Sequence, residues 1–544
     1  MKTKPLQTVE TVVVHYGLFA ESISIAELER IAQTGTFPHR FKSYTNQLSE
    51  EQRDLILGAL KAKIPINVAT MSNLLNTQIG ATILEKLATV IHREDDAGVQ
   101  ALRESLILGA RGYKGFSLLC AIAAYPAKDL NINLSQAFKV FKNLNTAFWQ
   151  TQQFMSAIAK RMPVRVACPK DIGLIAPQLA RDETQLSLPF DATLPSDGKV
   201  EELTLNLYDL KRNRKLPVDI YYSNAVSNEK PVIVFTHGLG SKRTELRYLA
   251  SHLASYGFVV AAVEHPGSNE ANSSAAMEGK TRLLEPQEFL HRPQDISFVI
   301  DELEKLNKTL DNPLQGKLAT NKVMVVGYSF GGGTALLTAG ARLQPQSIKE
   351  RCKGDLATLS FGEGIQRVAQ ELPEGSYQLR DERVKSIVAL NPTSSLMFGE
   401  TGLESVEVPT LVLASSADKT TPALTEQIIG FRKITSPKWL VGVVGGTHLS
   451  VKDPSVTMNQ EGKLNTPLTG GEVIGEKAAD IRKFVKAIVL AFAAQLSGEA
   501  SKYQVFLSAD YAQHASTEEF PFRLVREIPA DAATVIEEIK RNES

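Results

Sequence analysis

Six short β-branched runs constrain this 544-residue chain more than any other feature of it. They fall at 232–236, 258–263, 322–327, 384–390, 409–414 and 439–444, and each is nearly continuous in apolar residues. A strand exposed on one face alternates apolar and polar side chains, whereas a strand covered on both faces is apolar throughout. Helical stretches separate the runs, as crossovers between parallel strands require. The pattern predicts an α/β fold with a mostly parallel sheet flanked by helices. Ahead of it, Leu203–Leu207 and Leu216–Tyr222 alternate like paired strands around the basic run Lys211–Lys215, which reads as a solvated hairpin turn.

The third run leads into Gly327-Tyr328-Ser329-Phe330-Gly331, followed by Gly332, Gly333 and a helix-compatible segment. A serine on so sharp a strand-to-helix turn tolerates only glycine on its flanks, and its hydroxyl stands above the sheet edge. Such a nucleophile needs a base, an orienting acid and an oxyanion hole. His448 follows the last run and supplies an imidazole able to take and return a proton near neutral pH. Asp418 follows the fifth run, where a carboxylate can hold the imidazole tautomer and stabilise the imidazolium. The chain order serine, aspartate, histidine is that of the α/β-hydrolases. The main-chain N–H of Phe330 is one expected oxyanion donor. The second is assigned to Leu239, in the His237-Gly-Leu-Gly240 loop after the first run, and His237 itself reads as a structural residue beneath that loop.

Phe235–Thr244, Leu253–His265, Tyr328–Gly332 and the Gly-Gly-Thr-His stretch ending at His448 carry a resemblance. Across roughly Val200–Leu496 the chain is similar to the platelet-activating factor acetylhydrolase branch of the α/β-hydrolases and, more loosely, to dienelactone hydrolases. The resemblance implies a serine esterase acting on a lipid-like or short-acyl ester. In the acetylhydrolases an aspartate follows the strand next after the nucleophile, but here Ile387–Leu390 ends in Asn391. Asp418, placed as in dienelactone hydrolases, is therefore the expected acid. A dienelactone-type hydrolase, a thioesterase or a non-catalytic scaffold on the same fold stays open beside the esterase.

Residues 1–160 read as an all-helical N-terminal domain. Ser49-Glu-Glu-Gln52 has capping-box spacing ahead of Leu55, Ile56, Leu60 and Ile64, with Pro65 ending the segment. Val12–Val14 is the one strand-like piece, too short to place. Ser24–Glu29 and Gly98–Glu104 resemble an uncharacterised domain found ahead of α/β-hydrolase domains in cyanobacterial proteins. A linker is expected over 161–199, the hydrolase domain over 200–500, and a tail over 501–544 packing on the core. Insertions at 266–287 and 342–381 are candidate lid segments.

Equal numbers of acidic and basic residues, 60 each, offer no basic excess for a nucleic-acid partner. Three scattered cysteines form no metal or disulfide pattern and read as buried thiols, and the proposed chemistry needs neither metal nor cofactor. Met1–Glu10 has no apolar leader pattern, and the strongest apolar stretch, Ala487–Ala494, is too short to cross a bilayer. A cytoplasmic protein with a small ester substrate is expected, its oligomeric state open.

Overall fold

The computed structural model describes residues 9–17, 19–61, 63–64, 68–76, 78–92, 98–111, 116–144, 146–161, 186–354, 359–456 and 471–541. Pro65, Cys168, most of the expected linker and part of the 342–381 insertion lie outside these.

The six apolar runs are strands. They become β9 (Pro231–Thr236), β10 (Val259–Val263), β11 (Ala319–Tyr328), β12 (Val384–Leu390), β13 (Thr410–Ser415) and β14 (Lys438–Val443). All six lie in one nine-stranded sheet, parallel to one another. The hairpin β7 (Val200–Asp209) and β8 (Arg214–Ser223) extends one side antiparallel, next to β10. The other side ends in β15 (Phe522–Val525), paired antiparallel to β14. The order is β15-β14-β13-β12-β11-β9-β10-β8-β7.

Side chains of the parallel strands serve two cores in turn. Val232 and Val234 join one apolar cluster while Ile233 and Phe235 join the other, and Val323/Val325 divide from Met324/Val326 in the same way. The two-residue period of a strand thus explains why the runs had to be apolar throughout. One face is covered by helices Glu288–Lys308 and Phe330–Thr338, the other by Arg247–Ser255 and Ala479–Ala494. Between β9 and its two neighbours the winding reverses: β10 lies on one side and β11 on the other. In such sheets, ligands usually bind outside the carboxyl ends of the strands at a reversal of this kind.

The N-terminal region is not all-helical. Helices alternate with a four-stranded mixed sheet of order β2-β1-β6-β4, built from β1 (Thr11–Tyr16), β2 (Phe19–Ser24), β4 (Ile91–His92) and β6 (Asp129–Asn133). The two-residue strands β3 (Lys63–Ile64) and β5 (Phe116–Ser117) pair separately. The predicted capping box does form: Gln52 N–H donates to Ser49 Oγ at 3.1 Å and Ser49 N–H to Gln52 Oε1 at 2.8 Å. This region has its own apolar core, spanning Val9 to Ile132. Helix Thr146–Arg161 belongs elsewhere, since Phe154 is buried in the large sheet's core.

Two smaller expectations are also corrected. Cys120 is exposed rather than buried, because it sits on the outer side of the short helix Leu118–Ala123. The basic hairpin turn is only partly solvated, because Arg214 is buried against Glu288 and Asp295, and Arg212 joins Asp209 and Asp295. The tail's Tyr503, Phe506 and Tyr511 sit in the core, and β15 completes the sheet edge. Among the described residues, no helix is long and apolar enough to cross a membrane.

Candidate active site

Ser329 occupies the break between β11 and helix Phe330–Thr338 with φ of 55° and ψ of −121°. A non-glycine residue rarely holds that backbone conformation, and it persists here because the surroundings allow nothing else. The flanking glycines supply the room. A Cβ on Gly327 would come to 2.0 Å from the Gly331 carbonyl oxygen, and one on Gly331 to 2.1 Å from that of Thr236.

His448 begins a short turn beyond β14, and Asp418 lies in the loop after β13. The structure brings these two together with Ser329. His448 Nε2 lies 3.0 Å from Ser329 Oγ, and His448 Nδ1 lies 2.7 Å from Asp418 Oδ2. All three are buried, Asp418 completely. The carboxylate is held by its own loop: Thr420 and Thr421 N–H each donate to Asp418 Oδ1 at 2.8 Å, and Thr421 Oγ1 donates to Oδ2 at 2.8 Å.

The loop after β9 abuts the nucleophile turn, for a Cβ on Gly238 would approach the Tyr328 ring to 3.1 Å and Ser329 Cβ to 3.3 Å. Gly238 N–H donates to Glu245 Oε2 at 2.7 Å and Gly240 N–H to the Ser268 carbonyl at 2.9 Å. Between those two committed donors stands the N–H of Leu239. His237 lies beneath the loop. Its Nε2 accepts from His265 N–H at 3.0 Å, and its carbonyl accepts from Arg292, whose guanidinium also covers the Phe330 ring at 4.7 Å. Burial and the Arg292 charge hold the His237 imidazole well below its usual range, so it stays neutral. His265 is lowered in the same way, and it lies 2.9 Å from Asp295. For Glu288, burial pushes the carboxyl up, but hydrogen bonds from His291 and Arg214 outweigh it and hold it at about 2. The loop therefore rests on a buried, charge-paired base that reaches back to Arg212 and Arg214 of the hairpin.

Sequence reasoning missed several residues around this site. Asn391 directly follows β12 with φ of 42°, a left-handed conformation that asparagine tolerates better than most side chains. Its amide donates to the carbonyls of His448 at 3.2 Å and Thr447 at 3.4 Å, and its Oδ1 accepts from Ser415 N–H at 3.1 Å. It ties the histidine loop to the end of the acid's strand. Tyr328 OH donates to the His448 carbonyl at 3.0 Å, and Glu472 Oε2 accepts from Leu449 N–H at 3.1 Å. Burial raises the Glu472 carboxyl above its usual range. The helix ahead of the large sheet also reaches the site. From helix Thr146–Arg161, Gln152 donates to the Ser416 carbonyl at 2.9 Å and Thr151 Oγ1 accepts from Leu424 N–H at 3.2 Å, bracketing the Asp418 loop. The two insertions meet through the Arg282–Glu371 ion pair. Among the described residues no cluster of His, Cys, Asp and Glu is arranged to hold a metal ion.

A doubly covered, mostly parallel sheet, a strained serine turn and loops converging on its carboxyl edge define an α/β-hydrolase. Known proteins agree. Residues 8–133 match the family described as alpha/beta hydrolase of unknown function (DUF1400), and residues 210–310 match platelet-activating factor acetylhydrolase, isoform II. The chain is 35% identical over 136 residues to platelet-activating factor acetylhydrolase of Cavia porcellus, covering 20% of this chain and 31% of that protein. It is 33% identical over 137 residues to the enzyme of Canis lupus familiaris, with the same coverage. Against that of Bos taurus it is 26% identical over 184 residues, covering 28% of this chain and 40% of that protein. The chain thus spans about a third of the length of the curated relatives it matches. The fold is that of the α/β-hydrolases, and one segment of it is similar to the platelet-activating factor acetylhydrolases.

Proposed function

We propose that the chain is a serine carboxylester hydrolase. Ser329 attacks the ester carbonyl, His448 takes the serine proton and returns it to the leaving alcohol, and Asp418 orients the imidazole. The N–H groups of Leu239 and Phe330 hold the tetrahedral oxyanion, and water then releases the acyl group from Ser329 with His448 again as base. The observation that carries this reading is the buried hydrogen-bonded run from Ser329 Oγ through His448 to Asp418, at 3.0 and 2.7 Å. The division of labour places catalysis in 200–500, with residues 1–160 as an accessory domain joined by the 161–199 linker and with 501–544 closing the core.

The names of the relatives support a lipid-like or short-acyl ester as substrate. A second reading, a dienelactone-type hydrolase or thioesterase, is favoured by the acid's position after β13 and the amide at Asn391 after β12. Hydrolysis of p-nitrophenyl esters of graded acyl length, alongside an acyl thioester and a dienelactone, tests both. The esterase reading expects turnover of short acyl esters that vanishes in Ser329→Ala. Preference for the thioester or lactone would favour the second reading, and ester turnover surviving in Ser329→Ala would refute both.

A further inference from the structure

The N-terminal core holds a partly open cavity of about 200 Å³, remote in sequence from every residue of the candidate active site. Its walls come from the inner face of the small sheet and the helices covering it, with Val12, Val14, Ile23, Ile31, Ala59 and Phe138 contributing. Close-packed interiors seldom leave gaps larger than a water molecule. An engineered apolar cavity of about 150 Å³ stays dry and admits benzene, so a larger void with an almost wholly apolar lining suits an apolar group better than water. Leaving such a space empty costs stability in proportion to its volume.

One end of the cavity is different. Strand register pairs Val12 with Ile23 and Val14 with Glu21, so all four side chains share the inward face. Glu21, half-buried on the edge strand, adds its methylenes to an almost wholly apolar wall and leaves its carboxylate at the rim, beside Tyr44, whose hydroxyl is already spent on the Val14 carbonyl at 3.0 Å. Burial and then the Glu21 charge raise the Tyr44 phenol above its usual range, which keeps that neighbour neutral. An acceptor-only group at the rim of an apolar pocket selects a ligand with a donating head. It repels a fatty-acid anion, because like charges would meet at the rim.

We propose that this cavity binds the alkyl chain of a small amphiphile whose head, a hydroxyl or an ammonium, donates to Glu21. The test uses the full chain carrying Ser329→Ala, with 1-octanol, octylamine and octanoate titrated by calorimetry and thermal shift. Octanol and octylamine are expected to bind saturably and raise the melting temperature, with octanoate at least about tenfold weaker. Ala59→Leu and Ala137→Leu, each of which narrows the chamber, should weaken octylamine by a similar factor without lowering the melting temperature of the free protein. Using two separate filling variants keeps the test valid if one does not fold. Glu21→Gln should erase the preference for octylamine over octanoate. No saturable binding by octanol or octylamine, or binding unchanged by both filling variants, would overturn the site. Octanoate binding as tightly as octylamine would overturn the assigned head group.

Discussion

Asn391 stands where the acetylhydrolase pattern has an aspartate, and its surroundings explain why a carboxylate would not serve there. The side chain faces two carbonyl oxygens, those of Thr447 and His448, and only an amide can donate to them. Asn391→Asp should therefore do more than lose two hydrogen bonds. It places a negative charge against two acceptors in a fully buried position. We expect a loss of about 1–3 kcal/mol in denaturant unfolding, together with reduced ester turnover as the His448 loop loosens; unchanged stability and turnover would show that the amide has no positioning role. At this scale the sequence was informative where chemistry and backbone coincide. The placement of Ser329 was legible because its flanking glycines are required, and that of Asp418 and His448 because each lies in the loop after an apolar run. The roles of Asn391 and Arg292 were not, because each acts on a partner remote in sequence, nor were those of Thr421 and Glu245, whose contacts with Asp418 and Gly238 follow no recognisable local pattern.

Helix Thr146–Arg161 packs in the large sheet's core and contacts the Asp418 loop, and the contact is specific. Thr151 Oγ1 and the Gln152 amide engage main-chain groups at Leu424 and Ser416, on either side of Asp418. Removing both in Thr151→Val/Gln152→Ala should leave the fold intact and let the loop wander. Small misplacements of a catalytic group cost up to about a hundredfold, so a drop in kcat of roughly tenfold with little change in KM is expected in steady-state kinetics. Wild-type kcat would mean that the β13 and β14 ends hold the loop unaided. Elements were read well where burial imposed a long apolar signature, as in β9 to β14. The small N-terminal sheet was missed because its strands are short and half-polar; β6 alternates Leu130 and Ile132 with Asn131 and Asn133, over too few residues to outweigh the helices around it. The edge strand β15 was missed for a similar reason, as only β14 flanks it.

Across the whole molecule, buried ionisable groups set how stability responds to pH. Glu426 is fully buried, accepts from Ser394 and Ser395 N–H, and lies close to Glu363; burial and that second carboxyl push it up to about 8 from an ordinary 4.5. Between those values the folded protein holds a proton that the unfolded chain has released. Stability contributed by this group is thus present below about pH 4.5 and lost as pH rises towards 8. His237 and His265 act with the opposite sign. Their lowered values mean that the unfolded chain binds protons below about 6.5 that the folded chain refuses, so acidification destabilises. Comparing Glu426→Gln with the parent removes the shared histidine contribution. The variant's melting temperature should fall less between pH 5 and pH 8, and parallel curves would exclude Glu426 as a buried neutral acid.

The account stands on one hydroxyl being activated by one imidazole, and covalent labelling reads that directly. A fluorophosphonate probe on the intact chain, followed by peptide mapping, should modify Ser329 alone. Asp418→Asn, with the imidazole tautomer misdirected, should slow that labelling by about 10⁴-fold without loss of fold. An intact protein that never reacts at Ser329, or that labels equally fast with Asn at 418, would contradict the mechanism.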